Sequence, residues 1–136
     1  MTDIALISMS VTILLIMTGF IKKNSVFLFI LQAVWMWVLL AGNTNSIDYG
    51  VNSAIFDFAE ADSGIPYQSV MYWFARQGYD YFAFNAVVAT AALILLYIFI
   101  YKNSQNPCFV MSLIFIFPFV DFVIQKRFFI ASVLSI

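Results

Sequence analysis

Four acidic residues, Asp48, Asp57, Glu60 and Asp62, fall within one short stretch near the middle of the chain. Carboxylates at this density could supply a general base for a hydroxyl acceptor or ligate a divalent ion. The surrounding stretch is also aromatic, with Tyr49, Tyr67, Tyr72, Trp73, Tyr79 and Tyr81. Such rings could stack sugar rings beside hydrogen-bonding carboxylates. Each feature has a plainer reading: a solvated loop carries acids, Asp57 and Glu60 fit the polar face of an amphipathic helix, and tyrosine and tryptophan form belts at membrane interfaces. Further along, Asp121 precedes Gln125 by one helical turn and Arg127 lies a little further round, so an acid and a base could be neighbours. That pair could fix helix packing or serve function. The basic pair Lys126 and Arg127 could bind lipid headgroups or recognise an anionic, lipid-linked substrate.

Other chemistries lack their residues. The chain has no histidine and a single cysteine, Cys108, so neither an intrachain disulfide nor the usual cysteine-histidine zinc sites can form. Cys108 reads as a small apolar packing residue. Nothing matches a phosphate-binding loop, a dinucleotide fingerprint, a nucleophile elbow or a zinc motif. No metal site and no cofactor is expected. The net charge of -1, without blocks of like charge, argues against a nucleic-acid partner.

The elements that position these residues are apolar. With 64% hydrophobic and 10% charged residues and a mean hydropathy of +0.97, the chain is far from the balance of a soluble domain. The lipid bilayer is its expected surrounding. Long apolar runs predict spans at about 4–21, 25–41, 82–101 and 108–124, with a partial span at 128–136. No basic segment precedes Ile4, so the first run reads as a retained span rather than a cleaved leader. The first two spans are expected to pack as an antiparallel hairpin, and Trp35 and Trp37 to sit at headgroup level. Pro118 could kink the fourth span.

Residues 42–81 form the expected loop outside the hydrocarbon. Within it Val51, Ala54, Ile55 and Phe58 recur at helical spacing, with Asn52, Ser53, Asp57 and Glu60 on other faces, which predicts a short helix lying on the membrane surface. A second helix is expected to begin at Pro66 and end before Gly78. The fold class is therefore all-α: a polytopic membrane protein of about four transmembrane helices plus a partial fifth, forming one domain over 1–136, with short amphipathic or interfacial helices in the outer loop. Lys22, Lys23 and Lys102 place both short loops in the cytoplasm, which leaves loop 42–81 extracytoplasmic and Lys126 and Arg127 at an outer helix end.

The order of these features resembles the EpsG family, Wzy-like membrane polymerases of exopolysaccharide and capsule repeat units. The likeness rests on Ala41-Gly42 followed by Asp48-Tyr49 and Phe56-Asp57-Phe58; on Ile65-Pro66-Tyr67 with Gly78-Tyr79-Asp80-Tyr81-Phe82-Ala83-Phe84 leading into a span; and on Arg127-Phe128-Phe129-Ile130-Ala131. The chain departs from the family pattern at Asn43 or Asn45, at Gly64 and at Phe128. It corresponds to about the first third of full-length relatives, and its terminal run ends at Ile136 too short to span.

The resemblance implies glycosyl transfer at the outer face between polyprenyl-diphosphate-linked oligosaccharides, beside other polysaccharide-assembly membrane proteins. It implies that Arg127 contacts the diphosphate and that Asp48 orients or deprotonates the acceptor hydroxyl, with Tyr49, Tyr67, Arg76 and Lys126 as substrate-binding residues. Activity of so short a chain alone is left open. An alternative is a small non-catalytic membrane subunit or regulator that packs against a larger membrane partner. A small exporter fits less well, because only Asp121 offers an ionisable group inside a span.

Overall fold

A computed structural model describes residues 2–44, 47–58, 66–117, 130–131 and 133–135, and every regular element among them is helical. Six helices follow in order: α1 (Thr2–Ile21), α2 (Val26–Gly42), α3 (Ile47–Asp57), α4 (Pro66–Arg76), α5 (Tyr81–Asn103) and α6 (Pro107–Ile116). Two of them, over Asp3–Ile21 and Tyr81–Asn103, are long and apolar enough to cross a membrane. At 1.5 Å per residue, α5 reaches about 34 Å, against a hydrocarbon layer of about 30 Å. The other two runs expected to span are shorter apolar helices: α2 has 17 residues, and α6 has 10 up to Ile116. Pro118, Asp121 and Gln125 lie outside the described residues.

Local chemistry sets the helix ends. Ser25 caps α2 by accepting from the Leu28 amide, and Asp80 caps α5 by accepting from the Ala83 amide at 2.9 Å. Pro107 opens α6, where its missing N–H costs nothing. Beyond α4, Gly78 takes φ +83. Its amide donates to the Ala75 carbonyl at 3.0 Å and the Tyr79 amide to the Phe74 carbonyl at 3.3 Å, while the Phe74 and Tyr79 rings meet at 5.8 Å. This is the glycine-ended helix stop with its accompanying apolar contact.

Helices α1, α2, α5 and α6 form a bundle around Met36, Leu40, Leu93, Cys108 and Met111, each no more than 1% exposed. The α1–α2 hairpin forms, but α1 packs most extensively on α6. Gly19 explains the closeness: a Cβ there would run into Ser112 Oγ and Gln32 Nε2 and lie 2.9 Å from the Cys108 carbonyl oxygen. Gln32 Nε2 donates among three acceptors, the carbonyls of Leu15 (3.2 Å) and Cys108 (3.3 Å) and Ser112 Oγ (3.0 Å), so one buried amide ties three helices. The nitrogen is thereby paired inside the bundle, as an apolar surrounding demands, while Gln32 Oε1 is buried without a partner. Ser10, Thr12 and Thr18 find partners within α1 by bonding the carbonyls one turn back.

Trp35 and Trp37, expected at headgroup level, also tie helices together. The Trp35 indole donates to Thr12 Oγ1 at 2.9 Å, and that of Trp37 to Thr90 Oγ1 at 2.8 Å. An indole N–H inside a bundle takes whatever hydroxyl the neighbouring helix offers. The C-terminal run also joins the bundle: Val133 is buried in the core and shares a cavity wall with Leu95, Leu96 and Phe99.

At one end of the bundle, the Cys108 amide donates to the Lys23 carbonyl at 3.1 Å, and Lys23 Nζ stands 5.8 Å from the centre of the Phe109 ring. The turn at Lys22–Asn24 therefore lies against the start of α6, beside the loop that leaves α5 after Lys102. Helices α3 and α4 gather at the opposite end, on the first turns of α5.

Candidate functional site

Within the chain, helix α3 buries one face and leaves exposed the apolar stripe expected to lie on a membrane surface. Val51, Ala54 and Phe58 are exposed, whereas Asn52 and Phe56 are buried, with Asp48 and Tyr49 half-buried one turn before Asn52. Tertiary contact decides this, because α3 meets α4 and the start of α5 through aromatic rings. Tyr49 stands edge-on to Tyr81 at 4.9 Å, and Phe56 lies 5.7 Å from both Tyr81 and Phe84. From α4, Tyr67 and Phe74 approach Phe84 edge-on at 5.5 and 5.3 Å. Met71 and Phe84 are fully buried at the centre. Ring pairs in these tilted and edge-to-face arrangements are worth about 0.5–1.5 kcal/mol each beyond the area they bury.

Polar groups are set into this aromatic core. The side chains of Tyr67 and Tyr81 are hydrogen-bonded, and the Asp48 carboxylate is close enough to act on Tyr81 electrostatically. Burial pushes the Tyr49 phenol above its ordinary pKa, and the Asp80 carboxylate adds to the shift. Several buried atoms have no hydrogen-bond partner: Asp48 Oδ2, both amide atoms of Asn52, and Asn85 Nδ2. Asn52 is 1% exposed and Asn85 5%, so their surroundings do not hydrate them freely. Leaving a buried polar group unpaired costs about 1–3 kcal/mol, and ordered water is the usual partner of such atoms.

The expected site residues divide accordingly. Asp48, Tyr49 and Tyr67 come together around Tyr81. Arg76 does not join them: it is exposed at the end of α4, where its Nη1 donates to the Tyr72 hydroxyl at 3.2 Å. Asp57 is exposed at the far end of α3 from Asp48. Glu60, Asp62, Lys126 and Arg127 lie outside the described residues. Among those described, no three acidic, histidine or cysteine side chains gather as a metal would need.

Asn52 and Asn85 are not among the expected site residues, and Asn52 was expected only on a polar face of the surface helix. The spacing Asp48, Asn52, Phe56 along one face carried the signal for Asn52. The arrangement offers a carboxylate acceptor, amide donors and acceptors, and aromatic faces, which together can hold a polar organic ligand and take or orient a hydroxyl proton. Comparison with protein-family models, curated proteins and solved structures finds no match for the chain.

Proposed function

We propose that this chain is a multi-pass membrane protein of the EpsG, Wzy-like kind, which handles polyprenyl-diphosphate-linked oligosaccharides at the extracytoplasmic face during exopolysaccharide or capsule assembly. In this reading the runs containing α1, α2, α5 and α6 cross the bilayer. Lys22, Lys23 and Lys102 stay on the cytoplasmic side and α3 and α4 lie on the outer surface, their exposed Val51, Phe58, Val70 and Trp73 resting at the lipid interface. Asp48 orients or deprotonates the acceptor hydroxyl, Tyr49 and Tyr67 line the sugar, and Arg127 with Lys126 holds the diphosphate.

The observation that carries the reading is the meeting of Asp48, Tyr49 and Tyr67 at the first turn of α5, with Asp48 Oδ2 buried and unpaired. An acid inside an aromatic enclosure suits a ligand that has both hydroxyl groups and apolar ring faces. The test is polymer length in cells that carry the intact assembly machinery. Asp48→Asn is expected to leave only short, unpolymerised repeat units at unchanged protein abundance, whereas polymer of normal length in that variant would rule out the role of Asp48.

A second reading, a non-catalytic subunit beside a larger membrane partner, is favoured by α1. Only 11% of its apolar stretch is buried within the chain, which leaves most of its surface for lipid or for another helix. Normal polymer with Asp48→Asn, together with loss of polymer on polar substitution of exposed Leu6 or Ile13, would select that reading.

A further inference from the structure

A groove of about 510 Å³ opens between α2 and α5. Phe29 and Leu93 are buried and form its floor, whereas Ile30, Val34 and Ile94 are at least half exposed and form its rims. The polar side chains in its wall are paired within the protein. The Trp37 indole donates to Thr90 Oγ1 at 2.8 Å, Thr90 Oγ1 to the Ala86 carbonyl at 2.6 Å, and the Tyr97 hydroxyl to the Ala33 carbonyl at 2.7 Å. An occupant therefore meets hydrocarbon and aromatic faces, a surface that suits an apolar chain and gives water or a sugar no partner.

The groove leads to a charged end. On α5, Thr90, Ile94, Tyr97 and Tyr101 share one face at helical spacing, and the Phe29 ring meets Tyr97 at 6.2 Å and Tyr101 at 5.7 Å. The floor thus continues to the last turn of α5, which carries exposed Lys102, and α2 enters from the turn that carries Lys22 and Lys23. All four described acids lie away from these lysines: Asp3 at the far start of α1, Asp48 and Asp57 on α3, and Asp80 at the opposite cap of α5. At 1.5 Å per residue, Thr90 is about 18 Å along α5 from Lys102, and half of a bilayer with its headgroups is about 20 Å. The groove starts beneath the lysines and stops near the middle of the membrane, which is the reach of one lipid chain. A spanning partner helix would call for a seam through both leaflets.

We infer that the groove between α2 and α5 seats one acyl chain of a negatively charged phospholipid, whose phosphate is held by Lys102. The occupant is a constituent of the membrane itself, at the far end of the bundle from Asp48, and is distinct from any polyprenyl-linked substrate. The inference rests on α2 and α5 crossing the bilayer and needs nothing of the glycan chemistry. A lysine near the membrane surface strengthens attraction to an anionic headgroup about five-fold.

The test places the full chain in nanodiscs of equal parts phosphatidylcholine and phosphatidylglycerol with matched chains, and reads the lipid retained on the released protein by native mass spectrometry. One retained phosphatidylglycerol per chain is expected, in excess over phosphatidylcholine. Lys102→Gln should cut that excess about five-fold. Val34→Phe and Ile94→Phe fill the groove from rim positions outside the core and should each lose the retained lipid, while Leu14→Phe, at a comparably exposed position on α1, should keep it. Equal retention of the two lipids, an excess unchanged in Lys102→Gln, full retention in either rim variant, or loss in Leu14→Phe as well overturns the seat. So does displacement of the phosphatidylglycerol by an equal amount of polyprenyl phosphate. A two-chain species that Val34→Phe abolishes overturns it too, because the groove then belongs to a second copy. Each of these outcomes leaves the expectation for Asp48→Asn as it was.

Discussion

The ring of Tyr49, on α3, stands edge-on at 4.9 Å to that of Tyr81, the first residue of α5. A short surface helix is thus seated on the first turn of a helix long enough to span a bilayer, and the Asp48 carboxylate is carried to the same place. Any movement of α5 at this end is felt by the residues that could bind a ligand. Asp80 tightens the junction, because it both caps α5 and lies close enough to bear on the Tyr49 phenol.

Stability at alkaline pH should report that junction. Burial, with Asp80 second, raises the Tyr49 pKa above the ordinary 10.0, so the folded chain prefers the neutral phenol more strongly than the unfolded chain does. This contribution is complete below 10.0 and declines as pH climbs beyond it. Thermal unfolding in detergent between neutral and strongly alkaline pH should show Tyr49→Phe losing less stability than the unsubstituted chain; identical losses would mean that the phenol is not held neutral.

Gly19 should be intolerant of any side chain. Its place beside Ser112 and Gln32 leaves no room for a methyl group, and overpacking of this kind costs about 1–3 kcal/mol. Gly19→Ala should lower the unfolding temperature clearly, whereas Gly50→Ala, with open space around it, should not. Equal behaviour of the two variants would contradict the close approach of α1 and α6.

The long apolar runs were legible because burial in lipid or core needs no partner to be specified, and the bounds of α4 were legible because Pro66 and Gly78 act through their own backbones. The inner face of α3 was not. Val51, Ala54 and Phe58 stay on the exposed stripe expected to meet a membrane surface, while rings from α4 and α5 bury Asn52 and Phe56. The family resemblance put Asp48, Tyr49, Tyr67 and Arg76 in one site, whereas in the structure Arg76 turns outward to Tyr72. A single arginine at a helix end can serve either solvent or a site, and only the packing of α4 decides.

The tie between Trp35 and Thr12 should be measurable as a coupling. Trp35→Phe and Thr12→Val each remove one side of a 2.9 Å hydrogen bond between α2 and α1. A double-mutant cycle on unfolding free energy should give about 1 kcal/mol of interaction, in the range found for hydrogen bonds between membrane helices. Simple additivity would show that the two side chains do not depend on each other.

The account turns on α3 and α4 lying across the membrane from the basic turns. In a Cys108→Ser background, single cysteines at Asn24, Gln77 and Gln105, all exposed positions, can be challenged in intact cells with a membrane-impermeant thiol reagent. The Gln77 position should label from outside, and the Asn24 and Gln105 positions only after the membrane is opened. Labelling of all three from the same side would contradict the arrangement and remove the extracytoplasmic site with it.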